Sequence, residues 1–253
     1  MTQLAFDFLT NTLLKEINLS VIIPVFNEKD NLPEVVNKIE NTLGHLNFEL
    51  IIVDDNSPDG TATIAKNLNA IYGNIKILKR PSKLGLSSAV IDGFKISDSA
   101  SQILAVMDAD MQHPPELLAK MYKKITSGND LVIASRYING GGTKDWRLYR
   151  KVISRTATAC THLVLPKTRN VKDILSGFFM VRKKIIDEIH LDPIGYKILL
   201  EILIKGNYGK ICELPYVFDT RKNGKSNLDL KEIFKFAVHI SRLLRKFLPN
   251  GSA

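Results

Sequence analysis

Apolar, β-branched runs alternate with helical periodicity through the first half of the chain. The runs predict strands at Leu19–Val25, 48–53, Ile75–Lys79, 103–108 and Leu131–Ser135. Between them, apolar positions recurring every three or four residues predict helices at Leu32–Leu43, 61–69, 86–97 and 115–126. Asn31, with Glu34 three residues on, reads as the N-cap of the first helix in a capping-box pattern. The strands are continuously apolar rather than alternating, so both faces of the sheet must be covered. The expected class is therefore α/β, a mostly parallel sheet with helices on both faces, and such sheets bind ligands beyond the carboxyl ends of their strands.

After Tyr137 the pattern changes. Asn139, Gly140, Gly141 and Gly142 read as a flexible loop, followed by a helix at about 151–165. Strand-like pieces at 177–182 and 210–214 bracket a helix at about 196–205, and the chain closes on a basic amphipathic stretch at 230–248. No repeat or low-complexity tract interrupts this order. The expected organisation is an N-terminal extension, 1–18, a catalytic domain, 19–228, and a basic amphipathic helix within 229–253 that either lies in a membrane interface or packs on the sheet.

Composition narrows the classes. A chain of 253 residues that is 45% hydrophobic has a core, which excludes a disordered chain. The formal charge of +9 fits nucleic acid, an anionic membrane or a phosphorylated small molecule. The basic residues concentrate after Tyr137 without a nucleic-acid-binding motif, so nucleic acid is not expected as a partner. Cys160 and Cys212 are far apart and lack metal-ligand spacing, which suits a reducing compartment. Asp7 precedes any basic residue and no uncharged apolar run reaches about 18 residues, so neither a signal peptide nor a spanning helix is expected.

Two strands end in acidic clusters. The second strand runs into Asp54-Asp55-Asn56-Ser57-Pro58-Asp59-Gly60, and the fourth into Asp108-Ala109-Asp110. Adjacent carboxylates repel unless a cation or hydrogen-bond donors hold them. At a sheet's carboxyl edge, Mg²⁺ or Mn²⁺ bridging to phosphates meets that need, and Gln112 adds a neutral carbonyl oxygen. The other reading of each cluster is a turn whose acids cap the next helix, with Asp59 placed to do so. At the end of the first strand, Pro24 stops the ladder and Phe26 offers a face on which a base can stack. A dinucleotide fold needs G-x-G-x-x-G there, where this chain has Phe26-Asn27-Glu28. Asp219 stands where a P-loop ending in Gly224-Lys225-Ser226 needs glycine.

Nine segments in order resemble the family 2 glycosyltransferases, and among them the dolichol-phosphate mannose synthases. They are VIIPVFNE at 21–28, VDDNSPDG at 53–60, LGLSSAVIDG at 84–93, MDADMQHPPE at 107–116, Ser135-Arg136-Tyr137, Asp145-Trp146, DILSGFFMVR at 173–182, GYKILL at 195–200 and RKNGKSNL at 221–228. The resemblance implies a GT-A, Rossmann-like fold and metal-dependent, inverting transfer of mannose from GDP-mannose to dolichyl (polyprenyl) phosphate. The rivals are a polyprenyl-phosphate glucosyltransferase using a UDP-sugar and a non-catalytic nucleotide- or phospholipid-binding module.

By matching position, the resemblance implies that Pro24, Phe26, Glu28, Val53 and Asp55 line the guanosine pocket. Asp108, Ala109 and Asp110 then lie along the ribose and diphosphate, and Asp108, Asp110 and Gln112 hold Mg²⁺ or Mn²⁺. Arg136, Arg221, Lys225 and Asn227 face the donor phosphates, with Asp110, Arg136 and Arg221 as the catalytic set. Arg147, Arg150 and Ser154 hold the acceptor phosphate. The chain departs from the family pattern at Phe26, often tyrosine, and at Asn227, often lysine. A phosphate acceptor is already an anionic nucleophile, so no general base is needed, and His113 is expected to orient its loop. The implied setting is peripheral, on the cytoplasmic face of a membrane, with a membrane-anchoring partner as one means of attachment.

Overall fold

A computed structural model describes residues 18–144, 146, 148–195, 197–219 and 230–247, the side chains of 230–235, 246 and 247 excepted. In chain order the elements are β1 (Leu19–Val25), α1 (Leu32–Leu43), β2 (Phe48–Asp54), α2 (Thr61–Tyr72), β3 (Ile75–Lys79), α3 (Leu86–Ile96), β4 (Ile103–Val106), α4 (Leu117–Thr126) and β5 (Leu131–Ser135). They continue as β6 (Gly142–Thr143), α5 (Leu148–Val164), a 3₁₀ turn (Pro166–Thr168), β7 (Phe179–Arg182), α6 (Lys183–Asp187), α7 (Ile198–Lys205), β8 (Ile211–Pro215), β9 (Val217–Phe218) and α8 (Leu230–Phe247).

Seven strands form one sheet in the order β3-β2-β1-β4-β7-β5-β8. Every pairing is parallel except those of β7, which runs antiparallel to β4 on one side and β5 on the other. The mostly parallel α/β sheet expected from the apolar runs is thus present, with one reversed strand in its middle. β6 and β9 make a separate two-stranded parallel pair.

Side-chain alternation sorts the continuous apolar runs onto two faces. Leu19, Val21, Ile23 and Val25 of β1 pack with α1, α2 and α4, whereas Ile22 packs with α3, α7 and α8. Helix and sheet approach closely at Gly93 of α3, where an added Cβ would lie 2.6 Å from Ile22 Cγ2 and 3.2 Å from Val53 Cγ2. Both neighbours are fully buried and have no room to yield. Gly93→Ala is therefore expected to destabilise the chain by about 1–3 kcal/mol, read as a lower urea midpoint at unchanged slope.

Three boundary expectations are corrected. Asn31 does not form a capping box: its backbone is already helical (φ −90°, ψ −32°) and its amide donates to Glu28 Oε2 at 2.6 Å. Pro33 in the first turn sets the start of α1 instead, since proline supplies a helical φ where no N–H is needed. α2 runs three residues beyond 69, to Tyr72, and stops at Gly73, whose φ of 78° only glycine adopts freely. β4 ends at Val106, two residues before 108, although the Met107 N–H still reaches Ile22 O at 3.2 Å.

The sequence admits two settings for α8, a membrane interface or the sheet. Phe236, Ile240, Leu243 and Leu244 pack into the core beneath the α3 face, so for these side chains packing is what the structure shows.

Candidate active site

The site is built where β1, β2 and β4 end. Each strand is followed by a non-glycine residue in the left-handed region, Asn27 (φ 59°), Asn56 (φ 62°) and Met111 (φ 64°). Asparagine tolerates this conformation, whereas for methionine it costs about 1 kcal/mol or more and persists only where surrounding contacts enforce it. Those contacts are visible. The Gln112 N–H donates to Asp110 Oδ1 at 3.0 Å and the Asp108 N–H to His113 Nδ1 at 3.0 Å, so the loop is tied at both ends.

The two acidic clusters resolve differently. In the first, protein donors reach all three carboxylates, although Asp54 Oδ2 is buried without a hydrogen-bond partner. Asp54 Oδ1 accepts the Ser57 N–H and hydroxyl, and Asp59 accepts from Thr61 and from the Lys29 N–H. Asp55, buried, takes the Arg80 guanidinium at 2.9 Å and the N–H groups of Leu84 and Gly85 at 2.8 Å each. These contacts make the cluster a hydrogen-bonded turn ahead of α2, whose N-cap is Gly60, and Asp55 anchors the loop 80–85.

The second cluster keeps the chemistry of a metal site. Asp110 is buried and Asp108 is about one-third exposed along its side chain. Gln112 Nε2 donates to Asp219 O at 3.0 Å, which leaves its Oε1 as a neutral oxygen donor. Two carboxylates and an amide oxygen fit a hard divalent cation that completes its shell with phosphate and water. Among the described residues, no group of three His, Cys, Asp or Glu side chains is placed to hold a metal.

His113 is buried, stacked on Phe178 at 5.1 Å and met edge-on by Tyr216 and Phe218. Burial pushes its pKa down to about 4 against the pull of the Asp110 charge. The ring is therefore neutral at physiological pH, and its Nδ1 is the acceptor for the Asp108 N–H. This is the loop-orienting role expected of it.

Arg136 and Asp173, 37 residues apart in sequence, form a buried clamp. Asp173 is fully buried and accepts Arg136 Nε at 2.8 Å, Nη2 at 2.7 Å and the Arg136 N–H at 2.9 Å. Burial opposes the guanidinium charge, but the hydrogen bonds and charge of Asp173 outweigh it and hold the pKa above the ordinary arginine value. Glu213 on β8 accepts the N–H groups of Lys172 and Asp173, fixing the clamp from behind.

Around Trp146 the structure assembles a cationic corner. The guanidinium carbons of Arg136 and Arg150 lie 5.4 Å and 4.3 Å from its ring centroid, and Phe218 abuts its edge at 5.5 Å. Ser154 on α5 accepts the Tyr137 hydroxyl at 2.7 Å. Phe218, which also touches His113, joins this corner to the Asp108–Gln112 loop. Among the remaining expected residues, Pro24, Val53 and Ala109 are buried at the strand ends, while Phe26 and Glu28 are partly exposed there. Arg147, Arg221, Lys225 and Asn227 lie outside the described residues. Asp173, Glu213 and Tyr137 had not been singled out as single residues, because only long-range pairing reveals them.

Residues 20–190 match the family model described as glycosyl transferase family 2. The chain is 47% identical over 227 residues to the dolichol-phosphate mannosyltransferase of Pyrococcus furiosus, covering 90% of this chain and 64% of that protein. It therefore spans just under two thirds of the length of that relative. A dolichol-phosphate mannosyltransferase of Saccharomyces cerevisiae is 35% identical, with 93% of this chain and 90% of that one covered. Among solved structures, glucosyl-3-phosphoglycerate synthase from Mycobacterium tuberculosis, with Mn²⁺, UDP-glucose and phosphoglyceric acid, matches at a TM-score of 0.66 and 18% identity, over 91% of this chain and 79% of that one. Mannosyl-3-phosphoglycerate synthase from Rubrobacter xylanophilus matches at 0.67 and 19%, over 93% and 75%. The structural likenesses establish the fold, a GT-A-like arrangement, and the family match establishes membership: the chain belongs to glycosyl transferase family 2.

Proposed function

We propose that this chain transfers mannose from GDP-mannose to dolichyl (polyprenyl) phosphate with inversion, releasing GDP and working at a membrane surface. The carrying observation is the joining, through Phe218, of an oxygen-donor loop at Asp108–Gln112 to a cationic corner at Arg136, Arg150 and Ser154. One half suits a metal-bound donor diphosphate and the other an acceptor phosphate. The names of the relatives support the sugar and the lipid.

A divalent cation held by Asp108, Asp110 and Gln112 would neutralise the leaving diphosphate. The rest falls to side chains. Trp146 packs against the Arg150 guanidinium, whose charge suits an acceptor phosphate, while Arg136 beside the same ring has its charge matched by Asp173. Tyr137 fixes the Ser154 hydroxyl, so the acceptor meets an oriented donor. His113 takes no proton from the acceptor, because its ring is neutral, buried and already bonded through Nδ1. The nucleophile is anionic on arrival, and alignment replaces a general base.

The membrane setting rests on α5 as well as on charge. Leu148, Tyr149, Val152 and Leu163 of this helix are 77%, 57%, 54% and 75% exposed, while the buried positions are Thr158 and Thr161. The apolar face thus points outward. Arg150, Lys151 and Arg155 stand on the same helix, which has no acidic residue, a pattern that suits an anionic lipid surface. No helix among the described residues is long and apolar enough to cross a membrane.

The test is a panel of labelled GDP-mannose and UDP-glucose with polyprenyl phosphate, in Mg²⁺ or Mn²⁺. Solvent-extractable label from GDP-mannose alone is expected. Label from UDP-glucose instead would establish the glucosyltransferase, and donor binding without transfer would leave only a binding module.

A further inference from the structure

Outside the groups already assigned, Lys83 is a cation that the fold places on purpose-built ground. The loop 80–85 is pinned at both ends by the Asp55 carboxylate, through Arg80 on one side and the N–H groups of Leu84 and Gly85 on the other. Arg80 further reaches Gly85 O at 3.1 Å and Ser88 Oγ at 2.6 Å. Lys83 rises from the exposed crest between those pins, and its Nζ sits 3.7 Å from the centroid of the Phe26 ring. Among the described residues it has no carboxylate partner. A surface lysine in a chain with 26 acidic residues has many carboxylates to pair with, yet this one is parked on an aromatic face at the end of β1.

We propose that Lys83 reads the base of the donor nucleotide, its ammonium donating to a carbonyl oxygen on the base edge. This rests on the reading of Phe26 as part of the donor's base pocket. A base that stacks against Phe26 brings its edge within reach of the ammonium, which moves from the ring to that edge. Guanine and uracil carry a carbonyl oxygen there, which accepts from an ammonium. Adenine and cytosine carry an amino group, a donor that meets the ammonium as a second donor and repels it. Lys83 therefore selects keto bases over amino bases, and the phosphates play no part in that choice.

The experiment uses the full chain with Mn²⁺ and measures binding of GDP, ADP and inorganic pyrophosphate by calorimetry, for the unmodified protein, Lys83→Met and Lys83→Arg. Methionine keeps much of the stem and removes the charge at an exposed position, so the fold is retained, and unchanged thermal midpoints check this. The unmodified chain is expected to prefer GDP to ADP. Lys83→Met is expected to weaken GDP about tenfold and leave ADP and pyrophosphate within about twofold, with Lys83→Arg close to the unmodified chain. Equal weakening of GDP and ADP, any matching loss for pyrophosphate, or unchanged GDP binding overturns the proposal. If the unmodified chain binds pyrophosphate but neither nucleoside diphosphate more tightly, the base pocket itself is refuted and the proposal with it.

Discussion

Asp110→Asn is expected to lower mannose transfer by roughly 10²–10³-fold while leaving the thermal midpoint nearly unchanged. The substitution is close to isosteric, and an asparagine Oδ1 still accepts the Gln112 N–H that ties the loop around left-handed Met111. What disappears is a negative charge held out of water, since Asp110 is buried. A neutral amide binds Mg²⁺ or Mn²⁺ far more weakly than a carboxylate, so the leaving diphosphate loses its counter-charge when it needs it most. The measurement is initial rate against metal concentration for both proteins. A variant that stays within about threefold at saturating metal would remove Asp110 from the metal site. Burial keeps His113 neutral at pH 7, and removing the Asp110 charge favours the neutral ring further, so the comparison there is free of any change in its charge.

The second large effect is on stability. Asp173→Ala is expected to destabilise the chain by about 3–5 kcal/mol, because it strands the Arg136 guanidinium at a site only 9% exposed. Three hydrogen bonds to one carboxylate are lost together. The double variant Arg136→Met with Asp173→Leu removes both charges and is expected to recover most of that loss, since an apolar pair of similar volume has no buried charge to satisfy. Transfer should not recover with it, because the cationic corner on Trp146 is then reduced to Arg150. Urea unfolding and transfer assays on the unmodified chain and these two variants separate the two effects. Recovery of activity along with stability would show that Arg136 serves the fold alone.

Much of the sheet was legible because its strands are short runs of Val, Ile and Leu that no other element accommodates at that length. β1, β3 and β5 fall where their apolar runs begin and end. The reversal of β7 was not legible: FMVR reads the same in either direction, and only its partners decide. Capping misled at Asn31 because its own backbone is already helical, so its side-chain oxygen is not presented to the first-turn N–H groups. For the acidic clusters, spacing alone left metal and turn open. The N–H groups that reach Asp55 and Asp59 come from positions up to 30 residues away, which spacing does not reveal. The outward apolar face of α5 was missed for a related reason. Periodicity shows that a helix has two faces but not which one the body takes, and here threonines were taken inward.

The central seat of β7 has a further consequence, for the order in which the molecule can be made. β1 to β4 are complete by residue 106, yet β4 finds its second neighbour only when residues 179–182 arrive, after α5 has been passed. Until then β4 and β5 each present an open hydrogen-bonding edge in an apolar sheet, the kind of edge that templates wrong pairings between chains. The strand that closes that gap follows directly on the segment carrying Asp173, so the clamp on Arg136 locks in the same event that heals the sheet. A nascent or proteolysed chain lacking β7 thus keeps two adhesive edges open, and the Arg136–Asp173 clamp can form only once that gap is closing.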